Sequence, residues 1–292
     1  MKLSVGPIQF YWPKATIEQF YTEVAQSSVE LVYVGETVCA KRNELKPSEW
    51  LGLAQDLARS GKQVVLSTLA LVECSQELLM MKPFFENGEF TIEANDMSAV
   101  QLAKEYKLPF VAGPSLNCYN VSALQRLMRA GMVRWVMPVE LSRDWLCNTL
   151  SDAEEQGVRG DFEVEVLGYG HLPLAYSARC FTARSENKPK DQCKKCCIEY
   201  PQGRTVDSLE GQRLFTLNGI QTMSGDIYDL RPEMASMNGI VDYFRLSPSD
   251  FSFKRLLTEV HAIQNSPNSI VTANHTNNGY WHQIAGIKTQ KL

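Results

Sequence analysis

Four of the eight cysteines in this 292-residue chain stand at positions 180, 193, 196 and 197, in a charged run reading RCFTARSENKPKDQCKKCC. Thiols grouped in this way bind metal or act as nucleophiles, and in a reducing compartment they are poor candidates for a disulfide framework. Twelve residues separate Cys180 from Cys193 and three separate Cys193 from Cys197, with Cys196 beside the last. Structural zinc sites usually combine two C-x-x-C knuckles, and this loop offers one, Cys193 to Cys196. An iron–sulfur cluster accepts less regular spacing because its irons present separated corners. Spacing alone leaves both metals open, iron and sulfur being the better fit, and leaves open whether Cys196 or Cys197 is a ligand.

A fourth ligand is best placed at Cys39, in VGETVCAKR just beyond an apolar run. The flanking Ala40, Lys41 and Arg42 argue against deep burial there. Cys74, Cys118 and Cys147 lie in or beside helical or Asn-rich segments without ligand spacing and read as structural. Lys188, Lys190, Lys194 and Lys195 surround the loop, where they would offset thiolate charge. Other chemistries lack their residues. The histidines, at 171, 261, 275 and 282, form no metal-binding pair at helical spacing and assemble no triad with serine and aspartate. No C-x-x-x-C-x-x-C run suggests a cluster with an open iron, and no glycine fingerprint for a dinucleotide or a nucleoside triphosphate follows a strand.

The elements that must position these thiols alternate. Short runs rich in Val, Ile and Phe recur near residues 3, 31, 63, 90, 109, 134 and 162, separated by segments such as TIEQFYTEVAQSS, PSEWLGLAQDLARSG and VSALQRLMRAG with apolar residues three and four apart. The pattern predicts an α/β fold, a (β/α) barrel of the TIM type. Its closure is left open, so that an incomplete or distorted barrel is allowed, with the cysteine-rich loop at its mouth. Strand ends carry a polar rim that includes Ser67, Thr68, Glu93, Asn95 and Glu165. The candidates for catalysis on it are Glu36, Glu140, Arg143 and His171. Arg143 could pair with a carboxylate ligand, or simply with Glu140 or Asp144 on a first helical turn. His171 could equally be a structural hydrogen-bonder.

Composition bounds the class: 44% hydrophobic and 21% charged residues are ordinary for a globular chain of one barrel-like domain, residues 1–292. Residues 180–200 form the cluster loop, and 201–292 supply closing strands, a helix and a C-terminal tail packed back on the body. A net charge of −4 argues against nucleic acid as a partner. No transmembrane segment and no signal peptide are expected, which places the chain in the cytoplasm.

From Glu165 to Cys180 the chain reads EVLGYGHLPLAYSARC, and Glu165, Gly170, Ser177 and Cys180 match the offsets of a signature. The sequence resembles the collagenase-like peptidase (U32-type) superfamily, although Pro173 stands where that signature has its first cysteine. With the C-x-x-C-C loop, VGETVC, FVAGPSLNCYN and MPVELSRDW, the likeness is closest to its ubiquinone-biosynthesis branch and runs over essentially the whole chain. That resemblance implies a [4Fe-4S] cluster on Cys39, Cys180, Cys193 and Cys197. It also implies a heterodimer with the partner subunit UbiU and oxygen-independent hydroxylation of a ubiquinone-precursor lipid, with a lipid-binding accessory protein and prephenate as oxygen donor. With Cys39 as a ligand, the cysteine missing at Pro173 is not needed. A scaffolding subunit with a structural cluster, a peptidase and an RNA hydroxylase remain the alternatives.

Overall fold

Runs of Val, Ile, Leu and Tyr make the strands of a computed structural model that describes residues 1–249, 253–265 and 276–290. β1 (Lys2–Val5) leads to α1 (Lys14–Ala25), β2 (Leu31–Val34), α2 (Pro47–Arg59), β3 (Gln63–Ser67) and α3 (Ser75–Glu86). Then come β4 (Thr91–Ala94), α4 (Met97–Glu105), β5 (Phe110–Ala112), α5 (Val121–Ala130), β6 (Met132–Val136), α6 (Arg143–Glu155) and β7 (Glu163–Gly170). An insertion follows, with β8 (Pro173–Tyr176), α7 (Phe181–Ser185), β9 (Arg204–Asp207), β10 (Arg213–Asn218), β11 (Gln221–Ser224) and β12 (Ile227–Asp229). β13 (Tyr243–Leu246), α8 (Phe253–Asn265) and β14 (Thr276–Asn277) complete the order. Asn274 and His275, at the start of the expected tail, lie outside the described residues. Beyond them, Gly279 and Trp281 are buried.

β1 to β7 are parallel neighbours, and β13 pairs in parallel with both β1 and β7, Tyr243 standing opposite Lys2 on one side and Glu165 on the other. The fold is therefore a closed eight-stranded parallel barrel surrounded by helices, TIM-barrel-like as the alternation of elements predicts. Closure is complete; what departs from the repeat is the stretch between β7 and β13, where the insertion replaces the seventh helix. The closing strands expected beyond residue 201 are only partly such: β13, followed by α8, closes the barrel, whereas β9, β10 and β11 join β8 in a separate antiparallel sheet of four strands. The reason is local. Asn218 and Gln221 pair across a two-residue turn whose Gly219 has φ 65°, and such turns favour antiparallel hairpins over barrel strands.

Side-chain alternation divides each barrel strand between two cores. Val32, Val34, Val64, Leu66, Ile92, Phe110, Trp135, Val164 and Phe244 pack outward under the helices. Leu31, Tyr33, Val65, Val111, Val136 and Tyr243 form a second cluster inside the barrel. The remaining inward positions are polar. Arg245 Nε lies 2.8 Å from Glu165 Oε1 and its Nη1 2.7 Å from Glu93 Oε1. Ser4 Oγ and the Tyr33 hydroxyl donate to Glu165, Ser67 Oγ donates to Glu93 at 2.7 Å, and Arg134 Nη1 lies 3.7 Å from Glu165. The Arg245 and Arg134 guanidiniums sit 4.0 and 3.9 Å over the Tyr33 and Tyr243 rings. Thus Ser67, Thr68, Glu93, Asn95 and Glu165, expected on an exposed rim, are all buried. Burial alone would raise the Glu165 carboxyl; Arg245 and Arg134 overcome it and hold the group below its ordinary range.

Candidate metal centre and barrel-mouth cavity

The chain leaves β2 through Gly35, whose φ is 143° and where a Cβ would lie 2.4 Å from the Ser67 carbonyl oxygen. Only glycine permits this close crossing of the β2 and β3 ends. Glu36 then accepts hydrogen bonds from the Val38 and Cys39 backbone amides at 2.8 and 3.1 Å, fixing the loop that presents Cys39. The other thiols come from the insertion. Cys180 caps α7, its Sγ accepting from the Ala183 amide at 3.4 Å. Lys194 and Lys195 take left-handed backbone conformations, φ 46° and 56°, and this turn brings Cys193 and the Cys196–Cys197 pair to one place.

Cys39, Cys180, Cys193, Cys196 and Cys197 line one tight cavity of about 20 Å³, together with Lys41, Arg42, Lys190 and Lys195. Cys74, Cys118 and Cys147 line none of it. Among the described residues no three His, Cys, Asp or Glu side chains gather closely enough to hold a single ion. The thiols stand around walls, which suits a ligand with separated corners better than a point ion. The donor set is sulfur only, which all-thiolate zinc sites and iron–sulfur centres share.

Arg42 is the residue that the sequence places wrongly. Its side chain is 1% exposed, not solvated as the Ala-Lys-Arg run suggests. It lies 3.6 Å from Glu36, donates through Nη1 to the Gln9 carbonyl and through Nη2 to Asn218 Oδ1, both at 2.6 Å, and its charge acts on Cys197. Its Nε is buried without a partner. Burial pushes the Cys39 thiol up to about 11, and raises Cys180 and Cys197 as well, while Arg42 pulls all three back down. The empty-handed thiols are thus protonated at neutral pH, and a metal must displace those protons. The lysines contribute less: Lys190 pairs with Glu73, Lys41 with Asp191 and Lys188 with Glu186.

The rim candidates scatter. Glu36 braces the Cys39 loop. Glu140 accepts from the Tyr119 hydroxyl and borders a second cavity. Arg143 opens α6 but makes no ion pair with Glu140 or Asp144 among the described contacts, and its Nε is buried and unpartnered. His171 is half-buried, Nδ1 standing 2.8 Å from the Ser224 carbonyl oxygen. Pro173, at the position of the missing signature cysteine, is on β8 and lines that second cavity, not the thiol cavity.

The two cavities are linked by amides. Asn218 Nδ2 donates to Gln221 Oε1 at 3.1 Å, and Gln221 Nε2 donates to the Tyr176 hydroxyl at 3.1 Å. Tyr176 lines the second cavity with residues from the loops after β3, β5 and β6, at the end of the barrel where TIM-type ligands bind.

A model of peptidase family U32 matches residues 16–265. The chain belongs to that family. Among solved structures it is similar to a U32 peptidase, at 12% identity over 86% of this chain and 94% of the other, with a TM-score of 0.46. It is also similar to the phospho-2-dehydro-3-deoxyheptonate aldolase (DAHP synthase) of Thermotoga maritima, at 10% identity over 91% and 70% of the two chains, with a TM-score of 0.42. In this U32 member the signature residue Glu165 belongs to the barrel's internal ion lattice, and Cys180 belongs to the thiol cavity. No helix among the described residues is long and apolar enough to cross a membrane.

Proposed function

We propose that this U32 member is the iron–sulfur subunit of an oxygen-independent hydroxylase of ubiquinone precursors, a counterpart of the ubiquinone biosynthesis protein UbiV. In this reading it acts in the cytoplasm as a heterodimer with UbiU, on a lipid precursor delivered with a lipid-binding accessory protein, and with prephenate as the oxygen donor. The observation that carries the proposal is the single cavity walled by Cys39, Cys180, Cys193 and Cys197, four thiols that come from two distant parts of the chain and match the ligand set implied by the resemblance. A [4Fe-4S] cluster held by four thiolates supplies electron transfer without an open coordination site. The chain's own residues support that role: Glu36 fixes the Cys39 loop, and Arg42 offers a buried positive charge beside Cys197, which stabilises thiolate and tunes a bound centre. The peptidase reading rests on the family's name, since among the described residues no histidine lines the thiol cavity to serve as a base.

Anaerobic purification with iron and sulfide analysis tests the centre. About four irons per chain are expected, lost with the visible absorption when Cys39, Cys180, Cys193 or Cys197 is replaced by alanine and kept when Cys74 is. Stoichiometric zinc under the same conditions would refute it. The reaction is tested in an anaerobic culture that depends on this protein for ubiquinone: the quinone should form without oxygen, disappear with Cys180→Ala, and take no label from isotopically labelled oxygen gas. A cluster that changes oxidation state during turnover separates this function from a scaffold with a structural centre.

A further inference from the structure

The second cavity has the size and the place of a ligand site. It measures about 290 Å³, at the lower edge of the roughly 300–1,000 Å³ usual for small-molecule pockets. Its walls are mixed: Val139, Leu174 and four further apolar or proline positions face Ser115, Asn117, Glu140 and Tyr176. Among the described residues no lysine, arginine or histidine lines it, and the charged group on its wall is the Glu140 carboxylate.

Tyr176 is held as a donor aimed at this space. Burial raises its hydroxyl above the ordinary tyrosine range, so it keeps its proton. Gln221 is fully buried, its Oε1 taken by Asn218 and its Nε2 by Gln9 Oε1 and Tyr176, so the amide can only donate to the phenol oxygen. Ser115 Oγ also donates to the Tyr176 oxygen, at 3.4 Å, which leaves the Tyr176 proton for a ligand; a ligand oxygen placed between the two hydroxyls would replace this long contact with two short ones.

We propose that this cavity binds an uncharged ring bearing a hydroxyl group, the phenol class, with Tyr176 and Ser115 reading the hydroxyl. An anionic ring does not belong here. A dicarboxylate would meet Glu140 with no cation to offset the repulsion, and desolvating an unpaired carboxylate is prohibitive. Assigning the phenol to the hydroxylase's acceptor rests on the function proposed above; the binding chemistry itself does not. Together they give a division of labour in which this chain holds the ring to be hydroxylated and the anionic oxygen donor is held elsewhere.

The test is calorimetric titration of the purified, metal-loaded chain with 4-propylphenol and, separately, with terephthalate. One phenol per chain is expected to bind, about tenfold more weakly in Tyr176→Phe, as the loss of one hydrogen bond predicts. Leu174→Trp, which fills the cavity from a half-buried position, should abolish binding, and both variants should keep their iron. Terephthalate should not bind. Phenol affinity indifferent to both variants, or tighter binding of terephthalate, overturns the proposal. If the phenol behaves as described while anaerobic ubiquinone synthesis does not need this chain, the site stands and the hydroxylase reading falls. If the quinone requires the chain but neither variant affects phenol binding, the site falls and the function stands.

Discussion

Replacing Arg245 by methionine tests the account of the barrel interior. The guanidinium is 4% exposed and bonds Glu93 at 2.7 Å and Glu165 at 2.8 Å. Its removal leaves Glu165 facing Arg134 across 3.7 Å and deprives Glu93 of its ion-pair partner. Breaking a buried ion pair on one side typically destabilises by about 3–5 kcal/mol. Such a loss is a large share of the roughly 5–15 kcal/mol that holds a domain folded. At about 2–4 °C per kcal/mol for chains of this class, the melting temperature should drop by about 6–20 °C. Acidity provides the decisive signature. In the wild type the Glu165 carboxyl is depressed by its cations, so its contribution is present above the ordinary carboxyl pKa and is lost as pH falls through the lower folded value. In the variant, burial dominates and raises it, so the penalty is absent below the ordinary value and grows as pH rises through the raised one. Urea midpoints measured from pH 4 to pH 8 should therefore converge at the acid end and separate toward neutrality. A difference that stays below about 1 kcal/mol at neutral pH, or that is the same across this range, would refute the reasoning.

Two further outcomes are expected. Gly35→Ala places a Cβ 2.4 Å from the Ser67 carbonyl oxygen at a φ of 143°, so it should destabilise the chain by about 1–3 kcal/mol in a denaturant melt and loosen the Cys39 loop, read as faster alkylation of Cys39 in metal-free protein. Burial pushes the Cys118 thiol up to about 11, whereas Cys74 is exposed; labelling at pH 8 should modify Cys74 first, and the Cys118 rate should keep climbing as pH approaches 11.

The seven strand runs and the thiol cluster are legible in sequence because each is a local signal: Val and Ile blocks mark β1 to β7, and Cys193, Cys196 and Cys197 share one loop. Cys39 is legible only through its position after β2. Arg42 is not, since Ala-Lys-Arg on a loop reads as solvent-facing until Asn218, 176 residues on, supplies its partner. Glu93 and Glu165 likewise look like rim residues because nothing local says that the strands close and turn them inward, and nothing local marks Arg245 as their partner. Tyr176 escapes notice for the same reason: its strand pairs with Gln221 in a sheet the barrel pattern does not contain.

The internal ion lattice also dictates an order of events. Glu93 is synthesised first and Glu165 second, and both are made long before Arg245, the residue of the last barrel strand that bonds them both. Until β13 emerges, a nascent chain carries acidic side chains along the inner face of an open parallel sheet whose two edges, β1 and β7, lack their shared neighbour. The barrel can therefore lock only once β13 has been made, and a chain cut short before residue 243 is left as an unsealed sheet with exposed edges, fit for degradation or aggregation and unable to hold the insertion's cysteines against Cys39.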